Sequence, residues 1–319
     1  MITKLLFPSL FFVLFCNISV DAQSKKSYSK LITTTNQYLE KYSNLSPYGS
    51  DENIAYESSG LSKADIKYLK KNYQEFDGYT IDSISEFNLL LEFQGLIIQN
   101  LTEIINHERF LDTKIEEQLS RDYDLAIVVS NDRKLFNFSL DEKTGGSYRS
   151  RISITYFTED TKPPYIKGED DLEIINQHGI FDGDGFDAIY TLNTKEGTKY
   201  LIASSVRGCN YCFETSLMLV SYNDGAFIQE FYYSVNSRDW EEGVFYNEAN
   251  QTIDVDYFTD DLTTDCDCIN AAEDDYRNDS DSYWDNAEEL PFQKKCSCTF
   301  KFNGTNFELT KESWERVEE

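Results

Sequence analysis

The amino-acid sequence predicts an α+β fold, with an N-terminal helical layer over residues 23–122 followed by an antiparallel β-meander domain over 123–319. Three observations predict it. Apolar residues recur at helical spacing through the first third of the chain and switch to a period of two at Asp124. Six cysteines then fall in close pairs within the second part. The opening residues have the three-part build of an export signal.

That opening segment comes first. MITK supplies a positive start, LLFPSLFFVLF an apolar centre, and Val20-Asp21-Ala22 a small-residue cleavage site before Gln23. Residues 1–22 therefore read as a secretory signal peptide, and the expected location is periplasmic or extracellular. Lipidation at Cys16 is disfavoured by the bulky Phe15 before it. No transmembrane segment is expected, because the longest other apolar run, LLLEFQGLII at 89–98, is short and carries Glu92. With 57 acidic against 29 basic residues and a formal charge of −28, the chain is unsuited to nucleic acid, whose phosphates need Lys and Arg to release counterions. The 22 Tyr and 22 Phe favour a folded, aromatic-rich core over disorder.

The helical layer has four segments. KSYSKLITTTNQYLEKYS places Leu31, Tyr38, Leu39 and Tyr42 on one side of a helix. SKADIKYLKKNYQEF opens with Ser62 and Asp65 at capping-box spacing and is striped by Ile66, Leu69, Tyr73 and Phe76. Ser83 and Glu86 repeat that spacing ahead of ISEFNLLLEFQGLIIQNLTEII, whose apolar residues run nearly all the way round, as expected of a central buried helix. LDTKIEEQL closes the layer.

From Asp124 the chain reads as short strands: LAIVVS, KLFNFSL, RISITYF, LEIINQ, DAIYTLN, KYLIASSV, SLMLVSY, AFIQEFYYSV, QTIDVDYF, CTFKF and NFELT. They are separated by turn signals such as Asn131-Asp132, Gly145-Gly146, Asn223-Asp224-Gly225 and Asn303-Gly304. A barrel, a sandwich and a propeller-like array all fit that pattern. The last residues, KESWERVEE, read as a short polar helix.

An even number of cysteines in an exported chain points to disulfides. Cys266 and Cys268, and likewise Cys296 and Cys298, are two residues apart, which puts each pair on one face of a strand. If the two segments formed an antiparallel ladder, Cys266 would face Cys298 and Cys268 would face Cys296, a double staple at the neck of a loop. The shifted pairing and a four-thiolate zinc site are the alternatives. Cys209 and Cys212 have redox spacing, but the residues after them read as a strand rather than a helix, so a local bridge at a hairpin tip is expected.

The loop between the C-x-C pairs belongs to an acidic insertion at 260–292, which carries twelve acids over 260–289 against Arg277 alone. It reads as a solvated segment or a Ca²⁺ binder, although it lacks the glycine of an EF-hand loop. A second candidate calcium site is Asp182, Asp184 and Asp187 in FDGDGFDAIY, which resembles the distal half of the calcium loop in integrin-like FG-GAP repeats. Histidine is limited to His107 and His178, and no nucleophile elbow, Walker-type loop or H-E-x-x-H is present.

SNDRKLFNFSLDEKTGGSYRSRI at 130–152, with the later KYLIASS and FKFNGTNFEL, resembles an uncharacterised family of exported bacterial proteins; Thr144, Gly145 and Gly146 are the matching turn. The resemblance implies no activity. Together these readings lead to the expectation of a non-catalytic binding or cell-envelope protein whose ligand is a protein or a polysaccharide. The competing expectation is a secreted hydrolase using the carboxylates near 182–187, with Ca²⁺ as its cofactor.

Overall fold

In the computed structural model, which describes residues 27–48, 53–72, 79–119, 124–143, 150–160, 165–167, 173–175, 185–208, 212–237, 242–259, 266, 268–269 and 292–318, the helical signals become helices. The first helix, α1 (residues 27–43), buries Tyr28, Thr35, Leu39 and Tyr42 along one stripe. Two residues of strand, β1 (Ile54–Ala55), lead into α2 (Tyr56–Ser59) and α3 (Lys63–Asn72). The capping box of α3 forms as its spacing predicts. Asp65 N donates to Ser62 Oγ at 3.2 Å, and Ser62 N donates to Asp65 Oδ2 at 3.1 Å.

At the next helix the cap moves by two residues. Ser83 belongs to β2 (Ser83–Ile84), which pairs with β1, so its backbone is held in a ladder and cannot start a helix. Ser85 caps α4 (Glu86–Ile105) instead, its Oγ accepting from Asn88 N at 3.2 Å. Helix α4 is the buried centre of this part, with Leu89, Leu90, Phe93, Ile97, Ile98, Leu101, Ile104 and Ile105 all inside. Its one buried amide, Gln94, donates to the Tyr42 hydroxyl at 2.9 Å, which satisfies both groups. The short α5 (Ile115–Leu119) completes the layer.

The chain divides into two compact units, the helical one reaching Ile127 and the β-rich one beginning at Val128. Next in the chain, β3 (Leu125–Val129), β4 (Leu135–Asp141) and β5 (Arg151–Phe157) form a three-stranded sheet, and β6 (Tyr165–Lys167) pairs with β7 (Glu173–Ile175). Two four-stranded meanders follow. One is built from β8 (Ala188–Thr194), β9 (Gly197–Arg207), β10 (Phe213–Asn223) and β11 (Ala226–Ser237) in order along the sheet. The other runs β12 (Gly243–Asn247), β13 (Thr252–Thr259), β14 (Phe292–Phe302) and β15 (Phe307–Glu318). All strand pairs are antiparallel, and among the described residues no sheet closes into a barrel.

The first meander is buried on both faces. Tyr200, Ile202 and Val220 pack with Leu135 and Phe157 of the three-stranded sheet. Leu201, Leu217 and Leu219 point the other way, into a core shared with Val255, Phe300 and Phe307 of the second meander. A strand with two buried faces reads as a continuous apolar run, and this is why YLIA and LMLV do not alternate. Aromatic rings fill both cores: Phe157, Tyr222 and Phe227 lie 4.6–5.0 Å apart on one side, and Phe231, Phe300 and Phe307 meet at 5.4 Å on the other.

Two features of the meanders differ from the sequence expectation or refine it. Asp224 and Gly225, with φ of 50° and 85°, form the two-residue β10–β11 turn between the paired Asn223 and Ala226, the primed turn that Asn-Asp-Gly favours. The C-terminal KESWERVEE, by contrast, is not a helix: through Glu318 it continues β15 as an edge strand paired along the whole of β14. Its helix-compatible residues follow the ladder because the neighbouring strand offers a full row of backbone partners.

Candidate functional site

Two clusters bear on function, the C-x-C bridges of the second meander and the end of the Asp182–Asp187 loop. Strand β14 is central, with β13 on one edge (Val255 opposite Cys298, Tyr257 opposite Cys296) and β15 on the other (Trp314 opposite Cys296, Glu312 opposite Cys298). Both of its ladder edges are therefore occupied, and 265–269 cannot pair with it as a strand. Cys266 and Cys268 instead lie over the buried face onto which Cys296 and Cys298 project.

The bridges run Cys266–Cys296 and Cys268–Cys298, with Cα separations of 5.7 and 5.8 Å and a sequence separation of 30 each. The expected pairing of Cys266 with Cys298 and Cys268 with Cys296 is thus corrected: a segment crossing a sheet face is free of the ladder's index rule and here keeps step with β14. All four sulfurs are oxidised, so they are staples and not zinc thiolates. Each cysteine is at most 6 % exposed, and all belong to the core between the two meanders.

At the tip of the β9–β10 hairpin, Gly208 N donates to Cys212 O at 3.0 Å, and Cys212 is disulfide-bonded. The residues after it are strand β10, not a helix that could stabilise a thiolate. Cys209, His178, Asp182, Asp184, residues 144–146 (Thr144, Gly145 and Gly146), residues 1–22, and the acidic insertion 260–292 apart from Cys266, Cys268, Ile269 and Phe292 lie outside the described residues.

Asp187 opens β8. Its N–H donates to Ala203 O at 2.8 Å, and its carboxylate accepts from Arg151 Nη1 at 3.2 Å, while Arg151 Nη2 reaches Ser205 O at 2.6 Å. The carboxylate is thus held by a guanidinium between two sheets. Just before it the chain crosses a buried polar pad that the sequence did not reveal. Phe186 N donates to Asn137 Oδ1 at 3.1 Å, Ser139 Oγ donates to the same oxygen at 2.6 Å, and Asn137 Nδ2 reaches Ser153 Oγ at 2.8 Å and Thr155 Oγ1 at 3.1 Å. Gly185, at φ 88°, is required there: a Cβ would fall 2.0 Å from Ser139 Oγ. FNFSL opposite ISITY reads as two strands with a polar outer face, yet that face is inside, covered by residues 185–186. The one available signal was that both strands carry small hydroxyl or amide groups along the middle of that face, with charge only at its end, where Asp141 pairs with Arg151.

The S-x-D of the 130–152 segment also has a structural task. Ser130 Oγ donates to Asp132 Oδ1 at 2.6 Å and accepts from Leu135 N at 2.9 Å, closing the β3–β4 turn. Asp132 Oδ2 accepts from the Tyr200 hydroxyl at 2.8 Å, tying that turn to β9. Burial, reinforced by the Asp132 hydrogen bond, pushes the Tyr200 phenol far up, so it stays protonated as a donor. His107 likewise serves local structure: Nδ1 accepts from Arg109 N at 3.1 Å and the ring lies 4.8 Å from that of Tyr28.

Among the described residues no three His, Cys, Asp or Glu side chains are grouped to hold a metal ion, and no helix is long and apolar enough to cross a membrane. The fold and these clusters define a class: an α+β chain with an antiparallel, disulfide-stapled β-rich part. No protein-family model, curated protein or solved structure matches it.

Proposed function

We propose that this chain is an exported, non-catalytic binding protein of the cell envelope or exterior, which recognises a protein or polysaccharide partner. The observation that carries this reading is the double bridge. Two disulfides fix Cys266 and Cys268 over the face of a central strand, so both ends of the acidic segment between Cys268 and Cys296 are tied to one rigid sheet. Such a tether lowers the entropy lost when a segment is ordered by a partner. Disulfides also persist chiefly in oxidising compartments, in keeping with the leader at residues 1–22. The negative charge favours a partner with a basic surface.

The test uses residues 23–319 with the disulfides intact. The chain is titrated with polylysine and with a panel of soluble polysaccharides, while reducing ends and cleaved peptide bonds are assayed on the same ligands. Saturable binding without turnover supports the proposal. Turnover that disappears in Asp184→Asn would replace it with the hydrolase reading, and loss of that turnover on chelation would add Ca²⁺ as cofactor.

A further inference from the structure

The second meander ends in an open edge. Strand β15 pairs along one side with the whole of β14 and is last in its sheet, so among the described residues no strand pairs with its other side. It is twelve residues long and carries no proline or glycine, and its one irregularity is at Thr310, which the ladder skips between Leu309 and Lys311. Native sheets ordinarily blunt such an edge with shortness, proline or bulges, because its row of free N–H and C=O groups accepts another strand. Every residue from Lys311 to Arg316 is exposed, and Trp314 is 54 % exposed. The edge is also held from one face: Cys296, opposite Trp314, is bridged to Cys266, whose Sγ lies 4.0 Å from Ser313 O.

The sequence of this edge is complementary to itself. Two copies meeting edge to edge run antiparallel about a two-fold axis normal to the sheet, which keeps Glu312, Trp314 and Arg316 on one face and Lys311, Ser313 and Glu315 on the other. An axis at Lys311, Glu312, Glu315 or Arg316 sets that charge against its own copy. An axis at Ser313 carries the ladder into the skipped Thr310 and lays Glu312 against Trp314. An axis at Trp314 opposes no like charges. Glu312 then faces Arg316 twice, Lys311 faces Val317 and lies diagonal to Glu315, Ser313 faces Glu315, and the two indoles meet at the centre.

We propose that the β15 edge is occupied by the same edge of a second copy of this chain, joining two second meanders into one continuous sheet in a closed, two-fold dimer. The backbone ladder supplies the affinity, the two Glu312–Arg316 pairs and the avoidance of like charges select the register, and Trp314 leaves water. Pairing along one strand makes a small interface, so a reversible dimer with a dissociation constant of roughly 1–100 μM is expected. The formal charge of −28 makes two copies repel at long range, a repulsion that salt confines to about 8 Å at physiological ionic strength. The dimer forms whether or not the acidic segment binds a partner.

The experiment is sedimentation equilibrium of the oxidised chain, residues 23–319, from ~1 to ~300 μM in ~0.15 M sodium chloride. An equilibrium between monomer and dimer, with no larger species, is expected. Glu312→Arg opposes two cations at both pairs and should weaken the dimer about tenfold or more, while Glu312→Arg combined with Arg316→Glu restores opposite charges and should return the constant to within about threefold. If Glu312→Arg does not fold, as read by circular dichroism, Trp314→Ala replaces it and should also weaken the dimer. Deleting β15 is no substitute, because it bares the edge of β14. A chain that stays monomeric throughout, a dimer indifferent to the single variant, a double exchange that does not recover it, or growth into larger species would overturn the proposal.

Discussion

Single residues in this chain are constrained mainly by buried polar groups. Asn137 alone satisfies a backbone N–H and three hydroxyls, so Asn137→Ala should destabilise the β-rich unit by about 1–3 kcal/mol for each group left unpaired, read as a fall in the denaturant midpoint at constant slope. Asn137 begins an N-x-S sequon, yet it is 0 % exposed, so a glycosylating host should leave it unmodified in the folded chain, which mass mapping of the tryptic peptide would check. Glu92 predicts a pH effect of definite sign. Its folded pKa is raised, so the stability linked to its proton is full below the unfolded pKa and is lost as pH rises through the folded one. Compared with the native chain, Glu92→Gln should therefore gain stability between mildly acid and neutral pH, and thermal melts across that range should diverge. Parallel melts would contradict the assignment.

At the scale of elements, the pairing of β14 with strands on both edges decides the disulfide connectivity. Replacing Cys266 and Cys296 together by Ser should leave one native bridge, Cys268–Cys298, and no free thiol. Replacing Cys266 and Cys298 together should leave Cys268 and Cys296 without their native partners, and a thiol assay under denaturing conditions distinguishes the two variants. Each bridge is worth about 3 kcal/mol on the chain-entropy estimate, with adjacent ones less than additive, so reduction should lower the melting temperature markedly. The edge strand β15 gives a second test. Deleting residues 311–319 should uncover the edge of β14 beside Cys296 and Cys298, lower stability and promote association, with no loss of helical ellipticity.

For the whole β-rich unit, the double burial of the first meander has energetic consequences. Leu201 and Ile202 are neighbours in β9 that face different cores, and each is at most 1 % exposed. Leu201→Ala and Ile202→Ala should each cost about 2–5 kcal/mol, whereas in a sheet with one solvated face only one of two adjacent residues would be sensitive. Denaturant melts of the two variants measure this directly.

The sequence by itself determined the α+β order, the central helix, the capping box at Ser62 and most strands, because these depend on local periodicity and on side chains close in the chain. It also placed the turn at Asp224-Gly225 and the bridge at Cys212 on a hairpin tip, since both rest on short-range chemistry. Other features were decided only in the tertiary structure. Ser83 lost its cap to a β1–β2 ladder formed with residues almost thirty positions away, and KESWERVEE became a strand because β14 offered a paired edge. The polar faces of FNFSL and ISITY turned inward because residues 185–186 bring Gly185 and the Phe186 amide against them. The cysteine spacing was legible, but the partners were not: spacing fixes which sulfurs share a face, and only the packing of one segment over a sheet that was already paired on both sides fixes which sulfurs meet.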